Sequence, residues 1–170
     1  KQCPWVRGSR SGAWRADYSA FVDNVTHTLA GLAVAHAALY LRAGRTSSVS
    51  SRPLQLATLL TSALANNAPD LDFLYSGITP GKLGYLLHHR GHTHTLLATV
   101  PLALLALGCG VLLARLLGQR LSRAERWFLL GLALFGGLLH IGLDFLNNYG
   151  VHPFWPLDNR WFYGDAVFII

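Results

Sequence analysis

Residues 96–114 carry no charged side chain, and a helix of that length just reaches across the hydrocarbon of a bilayer. Lipid offers no partner for backbone N–H and C=O groups, so a segment of this kind is expected to be helical. The rest of the chain keeps the same character. It is 52% hydrophobic and 13% charged, with a mean hydropathy of +0.33; an ordinary soluble domain carries about a quarter charged residues. At 170 residues it is one domain or a piece of one. The net charge is +6, but the arginines sit in short loops rather than on a face interleaved with aromatics. That fits membrane-flanking charge, with the lipid bilayer as partner and no nucleic acid. Cys3 and Cys109 lie far apart, the second inside an apolar run, which excludes a disulfide framework and a zinc knuckle.

Four helical segments are expected. The first spans 23–41 with Asp23 as N-cap, and the second spans 53–66, opened by Pro53 and stopped by Pro69. The third spans about 93–118 with Thr93 as a cap and Pro101 inside it. The fourth spans 122–147 and opens on Ser122-Arg123-Ala124-Glu125, a capping-box pattern. The first two are short for full spans. The chain contains no Met. Residues 1–21 lack periodicity and an apolar core, and read as a non-native or disordered extension rather than a signal peptide. Val22 then reads as the start, from an alternative codon. Residues 166–170 read as the beginning of a further apolar segment, cut off, so 22–170 is expected to be one truncated membrane-embedded domain.

The polar residues bunch at segment ends. The first helix starts at His27 and finishes at Arg42. The second starts at Arg52 and finishes at Asp70 and Asp72. The third starts at His89 and His94 and finishes at Arg115. The fourth starts at Arg123 and Arg126 and finishes at His140 and Asp144. Threaded up-down-up-down, an all-α bundle gathers the imidazoles and carboxylates at one end and the arginines at the other. The positive-inside rule then puts the arginine loops in the cytoplasm and the polar site toward the periplasm or exterior. The basic N-terminus, Lys1 to Arg15, contradicts that orientation unless translation starts at Val22.

Imidazole plus carboxylate is a ligand set for zinc and harder divalent metals. His140 and Asp144 share a helical face at i, i+4 spacing. Pro69-Asp70-Leu71-Asp72 sets two carboxylates on one side of a stiff turn, where they repel unless a cation lies between them; a solvated turn is the plainer reading. His88-His89-Arg90-Gly91-His92-Thr93-His94 is the densest run, and Arg90 offers a fixed fork for an oxyanion. His27 alone would be a structural histidine, and His36 a packed, internally satisfied one. Asn147 and Asn148 read as helix-end caps. Trp155, Trp161 and Tyr163 fit a membrane-interface belt; His152 could be a further ligand, and Asp158, Arg160 or Asp165 could line a cleft.

Together, Thr26-His27, Pro69-Asp70-Leu71-Asp72, His89-Arg90-Gly91-His92-Thr93-His94, His140 with Asp144, and Tyr149-Gly150 resemble, in order, the membrane-bound metal-dependent hydrolase family of the YdjM type, inner-membrane proteins linked to LexA regulation. The similarity runs from about residue 23 to the end, and its most specific element is His-Arg-Gly-x-Thr-His. His88 and His92 fall outside that motif. The resemblance implies further apolar helices beyond this chain and a hydrolase label that rests on the ligand pattern.

The residues thus predict a divalent-metal centre, one or two zinc ions, drawn from His27, Asp70, Asp72, His89, His94, His140 and Asp144. The expected activity is hydrolysis of a phosphoester in a lipid or lipid-linked substrate. Asp70 or Asp72 would bridge the metals or serve as general base, and Arg90 would hold the substrate anion. No Gly-x-Ser-x-Gly elbow competes. The rivals are a non-catalytic metal-binding sensor, a transporter and a regulatory scaffold.

Overall fold

A computed structural model describes residues 12–46 (side chains for 24–45), 49–72, 92–147 and 150–166. These residues form four α-helices: α1 (Gly12–Thr46), α2 (Arg52–Asn67), α3 (Leu96–Leu116) and α4 (Arg123–Phe145). A 3-10 turn, Ala68–Asp72, continues α2. α1 begins well ahead of Asp23, because Ala13, Ala16 and Ala20 are strong helix formers and no proline interrupts residues 12–46. α2 takes Ser51 as N-cap and Pro53 in its first turn. α4 opens on the expected capping box, with Glu125 N–H donating to Ser122 Oγ and Ser122 N–H to Glu125 Oε2.

α3 starts later than the sequence suggests. Thr95, not Thr93, is its N-cap: Thr95 Oγ1 accepts from Ala98 N–H at 3.0 Å and donates to the His92 carbonyl at 3.0 Å. Thr95 is buried, so Thr95→Val leaves the Ala98 donor without its partner. The expected cost is about 1 kcal/mol, read as a lower midpoint in thermal unfolding of the detergent-solubilised protein.

The helices run up-down-up-down. Thr28 meets Asn67 and Gly31 meets Ser62 across α1 and α2. Gly110 meets Ala57 and Thr61 across α2 and α3, and Gly137 meets Thr99 across α3 and α4. α2 and α4 run parallel, with Leu54 and Leu129 in one cluster and Asn66 against Gly136 and His140. α2 is the hub, packed on all three others.

The packing is turned inside out relative to a soluble bundle. The buried face of α3 is Thr99, Ala103, Ala106, Gly110 and Ala114, all small, whereas Leu97, Val100, Leu104, Leu105, Leu112 and Leu116 face outward. Small residues let helix backbones approach closely where lipid, not water, is the solvent. Among the described glycines, the approach is closest to main chain at Gly31: a Cβ would stand 2.8 Å from the Ser62 carbonyl oxygen and 3.2 Å from Ala63 Cα. α3 and α4 are both long and apolar enough to cross a membrane.

Residues 150–166 fold back over the end where α3 starts and α4 finishes. Val151 and Phe162 exchange backbone hydrogen bonds of 2.9 and 2.8 Å, Leu96 N–H donates to the Pro153 carbonyl at 2.9 Å, and Ala166 N–H donates to the Leu146 carbonyl at 3.0 Å. The His92 ring stacks on Trp155 with centroids 4.5 Å apart.

Candidate metal centre

Antiparallel threading brings four donors from three places in the chain to one point. Asp70 comes from the turn after α2, His94 from the residue before the α3 cap, and His140 and Asp144 from successive turns of α4. His94 Nε2 lies 3.3 Å from Asp70 Oδ1, 3.2 Å from Asp144 Oδ2 and 3.1 Å from His140 Nε2. His140 Nε2 lies 3.6 Å from both Asp70 Oδ1 and Asp144 Oδ2. Donors set about 2 Å from one tetrahedral ion stand roughly 3.3 Å from each other, so these five separations suit a shared ion, and all four atoms lie within 4.8 Å of one another. The side chains of His94, His140 and Asp144 are essentially buried, while that of Asp70 is 13% exposed and marks the open side.

Each imidazole is aimed by a partner on its other nitrogen. The His140 Nδ1–H donates to the Asn66 carbonyl at 2.6 Å. That carbonyl ends α2, and Pro69 lacks the N–H that would close a 3-10 turn onto it. On His94, Asp72 Oδ2 lies 3.4 Å from Nδ1 and accepts from Thr93 Oγ1 at 3.1 Å. With both Nδ1 atoms protonated, two Nε2 lone pairs converge, an arrangement that wants a cation between them. Asp72, expected among the ligands, thus sits on the rear of His94, where it orients the ring.

His27 approaches from α1. Its Nε2 lies 3.3 Å from Asp144 Oδ1, and its ring stacks on His140 with centroids 3.8 Å apart. Asp144 therefore divides its oxygens, Oδ1 toward His27 and Oδ2 toward the four-donor point. His27 Nδ1 is buried without a hydrogen-bond partner among the described residues.

The electrostatics call for positive charge. Burial pulls the His94 imidazole toward neutrality, yet the hydrogen bonds it donates to Asp144, Asp70 and Asp72 outweigh it and push its pKa up to about 10. Burial likewise works against ionised Asp70, but His94 and then His140 hold its carboxyl below the ordinary value. A proton on His94 fills the place a divalent cation would take.

Six of the seven expected ligands therefore gather at one end of the bundle; His89, and Arg90 beside it, lie outside the described residues, as do His88, Asn148 and Tyr149. His152 packs on Trp161 instead, with centroids 4.5 Å apart, and is not in the four-donor group. Asp158 pairs with Arg160 at 2.7 Å in an exposed loop. His36 is exposed rather than packed, and bonds the Leu32 carbonyl of its own helix at 2.8 Å. Asn147 serves the chain turn, where its Oδ1 accepts from Gly150 N–H at 3.3 Å. The sequence reading missed Asn66, whose contribution is a main-chain oxygen.

The model of the YdjM inner membrane protein family matches residues 22–170. The chain belongs to that family. Membership and the two lipid-length helices together make this YdjM-family chain a membrane protein. Neither a curated protein nor a solved structure matches it.

Proposed function

We propose that this YdjM-family chain is a membrane-bound, zinc-dependent hydrolase of phosphoesters in a lipid or lipid-linked substrate. The observation that carries the reading is the quartet Asp70, His94, His140 and Asp144, whose donor atoms lie within 4.8 Å of one another at the end of a lipid-embedded bundle. Two imidazole nitrogens and two carboxylates suit Zn2+. A bound ion supplies a water of lowered pKa and offsets charge on the phosphate. Asp70, the most accessible of the four, would serve as general base toward that water. With an ion in that place, His94 and His140 would be neutral with Nε2 forward, because Asp72 and the Asn66 carbonyl face their Nδ1 atoms. Arg90, by its place in the sequence, would hold the phosphate oxygens. Positive-inside logic puts the arginine end in the cytoplasm and the centre on the periplasmic or outer side.

One observation favours a second reading, a non-catalytic metal-binding sensor: four protein donors fill a tetrahedral ion, as in structural zinc sites, whereas catalytic sites keep a position open. One experiment separates them. Full-length protein in detergent is assayed for bound metal and for phosphodiester and phospholipid turnover, with Asp70→Ala and His140→Ala alongside. The enzyme reading expects turnover in the wild type and loss of at least about 100-fold in both variants. Tight metal with no wild-type turnover on either substrate would select the sensor.

A further inference from the structure

The other end of the bundle holds a feature the metal centre does not use. Between the end of α3 and the start of α4 lies a cavity of about 580 Å³ whose walls include Arg115, Arg120 and Arg126, with Gln119, Val111 and Leu121. A second, apolar groove of about 310 Å³ runs beside it, lined by Leu107, Trp127 and Leu130 with Arg123 and Arg126. Arg126 belongs to both.

The cavity is built by local structure. Gly118 adopts a φ of +83°, which an L side chain rarely accepts. It lets the chain close α3 with Gly118 N–H on the Arg115 carbonyl at 3.0 Å and Gln119 N–H on the Ala114 carbonyl at 2.9 Å. Ser51 Oγ donates to Gln119 Oε1 and ties this loop to the start of α2. The loop thereby holds Arg120 near Arg115 and Arg126. Between Asp72 and Asp144 the only acidic residue is Glu125, and its Oε2 is taken by the Ser122 N–H of the cap. Arg115, Arg120 and Arg126 have no carboxylate partner among the described residues.

Guanidinium groups gathered without an acid favour an anion, and their planar forks match phosphate oxygens. An apolar groove that shares an arginine with the cavity, on helices that cross a membrane, fits an acyl chain next to that phosphate. We propose that the α3–α4 arginine cavity binds the headgroup of an anionic phospholipid, with an acyl chain in the Leu107–Trp127–Leu130 groove. The ligand is held by charge and by tail together, so a free phosphate is a poor substitute.

The full chain in detergent is titrated with dioleoylphosphatidylglycerol, dioleoylphosphatidylcholine and, separately, inorganic phosphate, with binding read by native mass spectrometry and thermal shift. The phosphatidylglycerol is expected to bind saturably and at least about tenfold tighter than the phosphatidylcholine. The double variant Arg120→Gln/Arg126→Gln is expected to weaken it roughly thirtyfold, with bound metal at the far end unchanged. Arg115→Gln/Arg120→Gln, which leaves the groove intact, provides a second test should the first variant fold poorly. Equal affinity for both lipids overturns the proposal, whatever the variants do. So does undiminished phosphatidylglycerol binding by a folded variant, or phosphate that protects as well as lipid at equal concentration.

Discussion

Asp144→Asn is expected to lower zinc affinity by at least about 100-fold, beyond the loss typical when a residue supporting a metal ligand is removed. Asp144 reaches three imidazoles among the described residues: it stands 3.3 Å from His27 Nε2, 3.2 Å from His94 Nε2 and 3.6 Å from His140 Nε2. Asparagine keeps the volume and the turn of α4, so the bundle packs as before. It removes the negative charge that opposes three rings, and it turns one acceptor into an NH₂ that faces an imidazole or the ion. The measurement is metal retained after equilibration with a zinc-buffered chelator, with His36→Ala as a control whose affinity stays at the wild-type value. If the asparagine variant holds metal as tightly as the parent, the quartet is not the binding site.

Gly31→Val is expected to cost about 1–3 kcal/mol of stability, the usual range for overpacking. Valine sets its Cβ 2.8 Å from the Ser62 carbonyl oxygen. That oxygen is main chain and has no rotamer to move into, so α1 must lift off α2. The buried hydrogen bond from Ser62 Oγ to the Gly31 carbonyl, 2.7 Å long, stretches with it. His27 lies one turn before Gly31 on the same face, so the same displacement draws it from Asp144 and weakens metal binding. Tryptophan-fluorescence melting in detergent reads the stability. Gly44→Ala is the control: a Cβ there meets nothing within 4 Å, and the variant should melt no lower than the parent. A Gly31→Val protein with an unchanged midpoint would show that the helices are not packed this closely.

Much of this arrangement was legible in the residues because one physical constraint governs it. A charge-free run at 96–114 has to be helical in lipid, segments threaded up and down in chain order alternate in direction, and polar residues confined to segment ends must then meet. Asp70, His94, His140 and Asp144 fall together for that reason. The roles within the cluster were not legible. Asp70 and Asp72 are one residue apart and alike in chemistry, yet the 3-10 turn sends one into the ligand shell and the other behind His94. Thr93 and Thr95 differ as little, and only the start of α3 decides that Thr95 caps the helix while Thr93 bonds Asp72. The arginines read only as flanking charge, since nothing in their spacing showed that Gly118 would fold Arg120 into a cavity beside Arg115 and Arg126.

The hydrogen bond from His140 to the Asn66 carbonyl has a consequence for anyone scanning this protein by substitution. Every amino acid brings the same oxygen, so replacing the side chain at position 66 does not delete that acceptor. It is governed by where α2 stops, and the residue that decides the stop is Pro69, whose side chain carries no donor atom at all. The grip on the imidazole is thus written in the path of the main chain, and a survey of polar side chains alone would pass over it.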